Sequence, residues 1–350
     1  MMIKVSCYQR LFPTGALAFY SSGRQNQERG ETLSENKTLT GRQIEISWPD
    51  LGITVTADLD DRNPALADAL WESLPYQSLQ GHALIAGEHL YHVSPIPKLL
   101  HTPHTTRIPD RREAADGTVF CSGLQHLGIK YGTLTEPMPA TPVGQIREAD
   151  MPALLEAGAA IWDAVYSTKK QILAEVRRAG EPGGHRIPKL PATDADAARL
   201  IADIHAETEK IWLAPPAELD GLHRGIIPSK AGNFGTVLPT LLFVNGETRP
   251  LGYAAYGGLV RAVVQDMPLD SLVQMTRLLV GVPAEFLGYC GLERLWAFTQ
   301  RFLDVLDRLD RDDFYAVTSQ MALYVNCLGG WNLQLYPWET GDHLRQQDAG

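Results

Sequence analysis

Two histidine pairs stand close enough in sequence to suggest a shared metal ion: His89 with His92, and His101 with His104. The first pair lies in the strand-like run HLYH, where residues three apart face opposite ways and cannot readily chelate one ion. The second lies in a polar loop with no nearby cysteine to complete a zinc set. Neither pair predicts a metal centre. Cys121 and His126 share a strand–turn region, and a thiol nucleophile beside an imidazole base would suit a hydrolase. No third group that would orient the histidine is evident, so a hydrolase stands as an alternative only. GxSxG, the P-loop, a GxGxxG opening a helix and HExxH do not occur.

What is left is a set of proton carriers and binding groups at the ends of elements. His92 closes the HLYH run, Tyr131 closes the run IKYG, and Glu136 lies just beyond it in a proline-rich loop. Functional side chains collect where strands meet loops. Glu339 follows Pro337-Trp338 in an irregular segment, where a carboxylate against an indole would have a raised pKa. In SKAGNFG (229–235), Lys230 could reach a substrate carboxylate, and Asn233 offers both donor and acceptor. Trp331 and Trp338, in GGWNLQLYPWETGDH (329–343), could wall an aromatic ring. The competing reading is plainer: His92 and Tyr131 are satisfied strand residues, both glutamates are solvated, Lys230 sits in a surface turn and the tryptophans pack a core. Asp163, Tyr166 and Lys170 follow helical spacing and read as a solvated helix face.

The elements that would carry these residues fall into two kinds. Ile44 and Ile46, then Ile53, Val55 and Ala57, alternate with polar neighbours at period two, as half-buried strands do. Asn63-Pro64 opens a short helix with Asn63 as its N-cap, and Leu74-Pro75 ends it. HALIAGEHLYHVSP (82–95) reads as two strands joined at Gly87-Glu88, and TVFCSG (118–123) and LGIKYG (127–132) read as two more, with a polar loop from Lys98 to Gly117 between the pairs. Several short strands around one helix predict a small closed barrel. From Ala149 the spacing turns helical: Leu154, Ala157, Ile161, Val165, Ile172 and Val176 share one stripe, which Gly180–Gly184 breaks. Further helices are predicted from about Thr193 to Trp212, through Leu295–Leu309 and through Phe314–Leu328. Two strand-like runs, Ile3–Tyr8 and Leu17–Tyr20, and a polar stretch at 21–41 that is a lid candidate precede all of these. The expected class is α+β: residues 1–145 a β-barrel domain with an N-terminal extension and a polar loop, and 146–350 an α-helical bundle.

Bulk properties narrow the function. The 350 residues are 44% hydrophobic and 21% charged, ordinary values for a chain that buries its core. With 31 basic and 41 acidic residues the net charge is −10, which argues against a nucleic-acid partner and obliges any anionic substrate to find a local cationic patch. No apolar run approaches a membrane span, and MMIKVSCYQRLF makes a poor signal peptide, so a cytoplasmic protein without a membrane partner is expected. The four cysteines, Cys7, Cys121, Cys290 and Cys327, are widely spaced and read as small buried hydrophobes.

The run NPALADALWESLPYQSLQGHALIAGEHLYHVSP (63–95) resembles the cyclophilin-like domain of the cucumopine synthase family, through Leu74-Pro75, His82-Ala83, Gly87-Glu88 and Tyr91. IKYG (129–132) fits a late strand of that barrel. Trp162 in AAIWDAVYSTKK and the terminal LYPWETGDH (335–343) resemble that family's C-terminal helical bundle. The resemblance implies a cyclophilin-like barrel followed by the bundle, and a Pictet–Spengler condensation without cofactor or metal. An amino acid with an electron-rich ring and a 2-oxo acid or aldehyde would form an imine, and the ring carbon would close on it. Tryptophan would give a tetrahydro-β-carboline, as in similar bacterial alkaloid enzymes; histidine with 2-oxoglutarate would give a cucumopine-type product. Such chemistry needs one acid or base near neutral pKa, cations for substrate carboxylates and an aromatic wall. The cleft between barrel and bundle is the natural place for Glu136, Glu339, His92 and Tyr131 as catalytic groups and for Lys230, Asn233, Trp331 and Trp338 as binding groups. A non-catalytic ligand-binding protein, with the bundle serving a homo-oligomer, is the reading from another class. With no metal-ligand spacing in the chain, turnover is expected to survive exhaustive chelation; activity abolished by EDTA and restored by Zn²⁺ would overturn this.

Overall fold

A computed structural model describes residues 38–230 and 237–338. The expected strands Ile3–Tyr8 and Leu17–Tyr20 and most of the polar stretch 21–41 lie outside the described residues, as do Asn233 and Glu339.

Eight antiparallel strands close into a barrel: β1 (Leu39–Trp48), β2 (Ile53–Asp60), β3 (Tyr76–His82), β4 (Gly87–Val93), β5 (Thr118–Ser122), β6 (His126–Leu134), β7 (Pro142–Ile146) and β8 (Leu173–Arg178). Their order around the barrel is β1-β2-β7-β5-β6-β4-β3-β8. The interior takes Ile44, Ile46, Val55, Ala57, Leu90, Val119, Leu127, Ile129 and Val176, as the period-two pattern requires. Helix α1 (Pro64–Ser73) and helix α2 (Met151–Asp163) pack into the same core through Leu66, Leu70, Leu154 and Ile161.

Three expectations are corrected. The helical stripe from Ala149 to Val176 is a helix to Asp163, a π-helical turn over Ala164–Thr168 and then β8. Ile172 and Val176 lie four residues apart, a spacing that fits a helix face and a strand face equally, so they joined the stripe wrongly. The barrel therefore runs past the expected boundary at 145, because β8 is the strand that pairs with both β1 and β3. The turn in residues 82–95 lies at 83–86, one step before Gly87-Glu88. Gly87 opens β4 with φ 91°, and a Cβ there would collide with the Thr133 carbonyl. Asn63 does precede α1 with Pro64 in the first turn, but its side chain makes no cap bond. It donates to the carbonyls of Thr106 and Pro142 and accepts from the amides of Thr105 and Thr106, tying the polar loop to the barrel.

The bundle comprises α3 (Ala195–Trp212), α4 (Ala217–His223), α5 (Leu238–Arg249), α6 (Gly257–Val264), α7 (Leu269–Tyr289), α8 (Glu293–Val305) and α9 (Arg311–Leu335). Helix α9 is buried on nearly every side, which a helix tolerates only when other elements surround it. Val93 and Leu100 of the barrel half belong to the bundle's apolar core, so barrel and bundle form one compact unit. A fragment ending at residue 145 leaves β1 and β3 as open edges. It is expected to show no cooperative thermal transition by circular dichroism, and a cooperative melt in that fragment would contradict the role given to β8.

Candidate active site

The alternation that fills the barrel also furnishes its outer surface. On β4, Leu90 and His92 point inward while His89 and Tyr91 point outward; on β6, Leu127, Ile129 and Tyr131 point inward while His126, Gly128 and Lys130 point outward. Phe120 of β5 completes the outer wall, with its ring 6.1 Å from that of His89, and the Tyr91 and His126 rings are 4.9 Å apart. Gly128 makes room for this arrangement, because a Cβ there would strike His89 Nε2. His89, Tyr91 and His126 are half-buried on this outer face.

The polar loop delivers a charged pair to one end of this wall. Asp110 accepts from the Arg112 amide at 3.0 Å and starts a short 3₁₀ turn over Arg111–Glu113. The Arg111 amide donates to the Met138 carbonyl at 2.7 Å, and Ile108 and Ala140 form a β-bridge. The loop is thereby stitched to the segment after β6, and Arg111 meets Glu136 in a partly buried ion pair. Lys130 is committed elsewhere: its Nζ donates to the carbonyls of Ala114 and Arg112 and pairs with Asp116. His89 Nε2 and Arg111 Nε are buried with no hydrogen-bond partner among the described residues.

The facing wall includes two π-helical turns, one in the bundle and one between α2 and β8 of the barrel half, a local winding that re-aims side chains and recurs at functional sites. One, Pro250–Tyr256, follows directly on Arg249 at the end of α5 and carries Tyr253. The Arg249 charge bears on both His126 and Tyr91. The other, Ala164–Thr168, carries Tyr166, whose hydroxyl donates to the His82 carbonyl at 3.1 Å and whose ring lies 4.2 Å from Trp162 and 5.7 Å from Trp338. Burial, reinforced by the Arg111 charge, pushes His89 down to about 3, and burial with Arg249 does the same for His126. Both imidazoles are therefore neutral at physiological pH, each with one acceptor and one donor nitrogen. Burial raises Tyr91, which keeps its proton. The cleft thus combines a carboxylate, two neutral imidazoles, two guanidinium groups and aromatic walls.

Residues 197–335 match the cucumopine synthase C-terminal helical bundle domain. The solved structure of McbB in complex with tryptophan is similar across the fold, with a TM-score of 0.83 and 47% sequence identity over 86% of this chain and 99% of that one. This chain belongs to the cucumopine synthase-like family. No curated protein matches it.

Within this family member, the residues singled out from sequence do not all gather in one place. Glu136 lies in the cleft beside Arg111. His92 does not: it is buried on the barrel's inner side, where its Nε2 meets the Tyr76 hydroxyl at 3.0 Å and its Nδ1 meets Gln80 Oε1 at 3.3 Å. Gln80 is itself bound by Trp48 Nε1 at 2.9 Å, so this is a polar network within the core, and His92 is a satisfied barrel residue. Tyr131 also points inward, its hydroxyl 2.6 Å from His82 Nε2, and burial pushes it up to about 12. It borders a separate cleft of about 440 Å³ with Glu88 and Trp162. Trp331 packs in the bundle core with Nε1 donating to the Ile211 carbonyl at 2.6 Å, and with His92 it borders a narrow cavity of about 30 Å³. Trp338 lies tilted against Tyr336, 4.5 Å between ring centres, and reaches Tyr166, which links it to the cleft. Lys230 sits 4.7 Å over the Tyr289 ring on the bundle. The Cys121–His126 pair is undone by alternation: Cys121 points into the barrel, its thiol pushed up to about 12 by burial, while His126 faces out. Sequence reasoning did not place His89, Tyr91, Arg111 or Arg249 in the site, weighed His126 only as a hydrolase base, and read Tyr166 as a solvated helix face. Among the described residues no cluster of three His, Cys, Asp or Glu could hold a metal, and no helix is long and apolar enough to cross a membrane.

The three most strongly depressed imidazoles make stability pH-dependent. His89, His92 and His126 fall from 6.5 to about 3 on folding, so between those values the unfolded chain binds protons that the folded chain refuses. Their contribution is constant above the unfolded value and is lost as the pH falls below it. From pH 7.5 to 5.5 the three together remove up to about 4 kcal/mol. Urea midpoints at the two pH values measure this, and equal stability at both would refute it.

Proposed function

We propose that this protein is a Pictet–Spengler synthase that condenses an aromatic amino acid, tryptophan above all, with a 2-oxo acid such as 2-oxoglutarate or with an aldehyde. The observation that carries the reading is the Arg111–Glu136 pair set beside the neutral, unpartnered His89 in an interior cleft walled by Tyr91 and Phe120. The similarity to McbB, solved with tryptophan, supports the choice of ring.

The chemistry makes distinct demands on these groups. The amino acid must first lose an ammonium proton to the medium before its amine can attack, and the neutral His89 imidazole can then accept a hydrogen bond from that amine. The amine adds to the carbonyl, and the carbinolamine loses one water when an acid protonates its hydroxyl. The indole carbon then attacks the iminium carbon, forming the new C–C bond. The proton left on that ring carbon goes to a base, the role proposed for the Glu136 carboxylate, with Arg111 holding the carboxylate in place. Aromatic walls orient the ring for attack, and positioning alone contributes several kcal/mol to a two-substrate reaction. The product weighs the sum of both substrates less one water.

The test is incubation with tryptophan or histidine and a panel of 2-oxo acids and aldehydes, read by mass spectrometry. A tryptophan adduct less one water is expected; a product from histidine and 2-oxoglutarate alone would make the enzyme cucumopine-type, and no product with either amino acid would reject the condensation. Glu136→Gln is expected to lower kcat by about 100- to 10,000-fold at nearly constant volume. Lys230→Met, on the bundle against Tyr289, is expected to leave both kinetic constants unchanged. Wild-type turnover in Glu136→Gln would remove Glu136 from the mechanism.

A further inference from the structure

Charge accounting around the cleft leaves one group over. Arg111 is neutralised by Glu136, and Lys130 by Asp116 and two carbonyls. Arg261, also where bundle meets barrel, is directed at the carbonyls of Leu100, Gly123 and Tyr253. Arg249 differs from all of these. It is partly buried, yet it has neither an ion pair nor a hydrogen bond among the described residues. The groups its charge reaches are Tyr91, His126 and Tyr166, all three neutral, so nothing there compensates a cation. Its aliphatic stem is guided across α9 at Gly329, where a Cβ would stand 3.3 Å from Arg249 Cγ. A partly buried guanidinium without an anion is open to one, and its planar fork matches a carboxylate.

We propose that Arg249 is the carboxylate anchor of the cleft, and that it selects intact aromatic amino acids over their decarboxylated amines. The inference rests on the reading of this cleft as the amino-acid site. It places the anchor on the bundle and the proton carriers on the barrel, at opposite sides of the outward face of β4 and β6. A substrate carboxylate would supply the missing negative charge beside His126, while the ring lies against Tyr91. An amine without that carboxylate would leave Arg249 uncompensated and would bring a second cation towards it.

Isothermal titration of the full chain separates the possibilities, with tryptophan, indole-3-propionate (carboxylate, no amine) and tryptamine (amine, no carboxylate) as probes. Wild type is expected to prefer the two carboxylates. Arg249→Met keeps the stem against Gly329 and is expected to weaken tryptophan and indole-3-propionate by roughly 30-fold or more, with tryptamine unchanged. Arg249→Lys keeps the charge without the fork and should fall between the two. Unchanged affinity for both carboxylates in Arg249→Met would overturn the proposal. So would a parallel loss for all three probes in that variant, since that reports a damaged cleft. If wild type ignored tryptophan yet bound indole-3-propionate through Arg249, the anchor would stand and the substrate reading would fail.

Discussion

A strand has two faces, and in β4 and β6 both are occupied by groups that the rest of the molecule needs. The inward face carries Leu90, Leu127 and Ile129 into the barrel core, together with His92 in its network with Tyr76 and Gln80. The outward face carries His89, Tyr91 and His126 towards the bundle. Register joins the two roles, since a slip of one residue would exchange the faces and empty the core and the cleft together. Two glycines make room for this arrangement: Gly87 at the start of β4, and Gly128 where the His89 imidazole crosses β6.

The bundle is a second wall more than an appendage. Its core takes in Val93 and Leu100, and α9 lies against β3 and β4. Two π-helical turns, one between α2 and β8 of the barrel half and one in the bundle, depart from regular geometry beside groups of the site: Tyr166 in the first, Arg249 and Tyr253 at the second. Regular helices at those two places would carry the side chains around at 3.6 residues per turn and past the cleft.

Much of the fold was legible. Strands β1 and β2 follow from the alternation around Ile44 and Val55, α1 from Asn63-Pro64, and α3, α8 and α9 from helical patterning, whereas α7 was not picked out. The failures have physical reasons. β8 hid because Ile172 and Val176 fit both periods. β7 hid in a proline-rich stretch that reads as loop; its Pro142 carbonyl is held by Asn63. Within the site, Glu136 could be picked out from its place beyond a strand end. His92 and Tyr131 could not be sorted by the same rule, because a strand end does not say which face is the interior. His89 and His126 differ from His92 only by parity, and the parity of a face is known once the core is known. Arg111 and Arg249 lie in charged or helical surroundings where nothing local marks them; what distinguishes them is which partners they meet and lack in three dimensions.

The shared core has a consequence for how members of this family can be recombined. Val93 and Leu100 count among the bundle's buried residues, and Gln125 of the barrel meets Asn326 of α9 at 3.0 Å. A chimera that joins the barrel of one relative to the bundle of another would inherit a seam of interlocking side chains where a linker would be wanted. Crossover points for such hybrids are better chosen within β8 or the segment after it, with the seam residues transplanted as a set, than at the apparent change from strand to helix near residue 146.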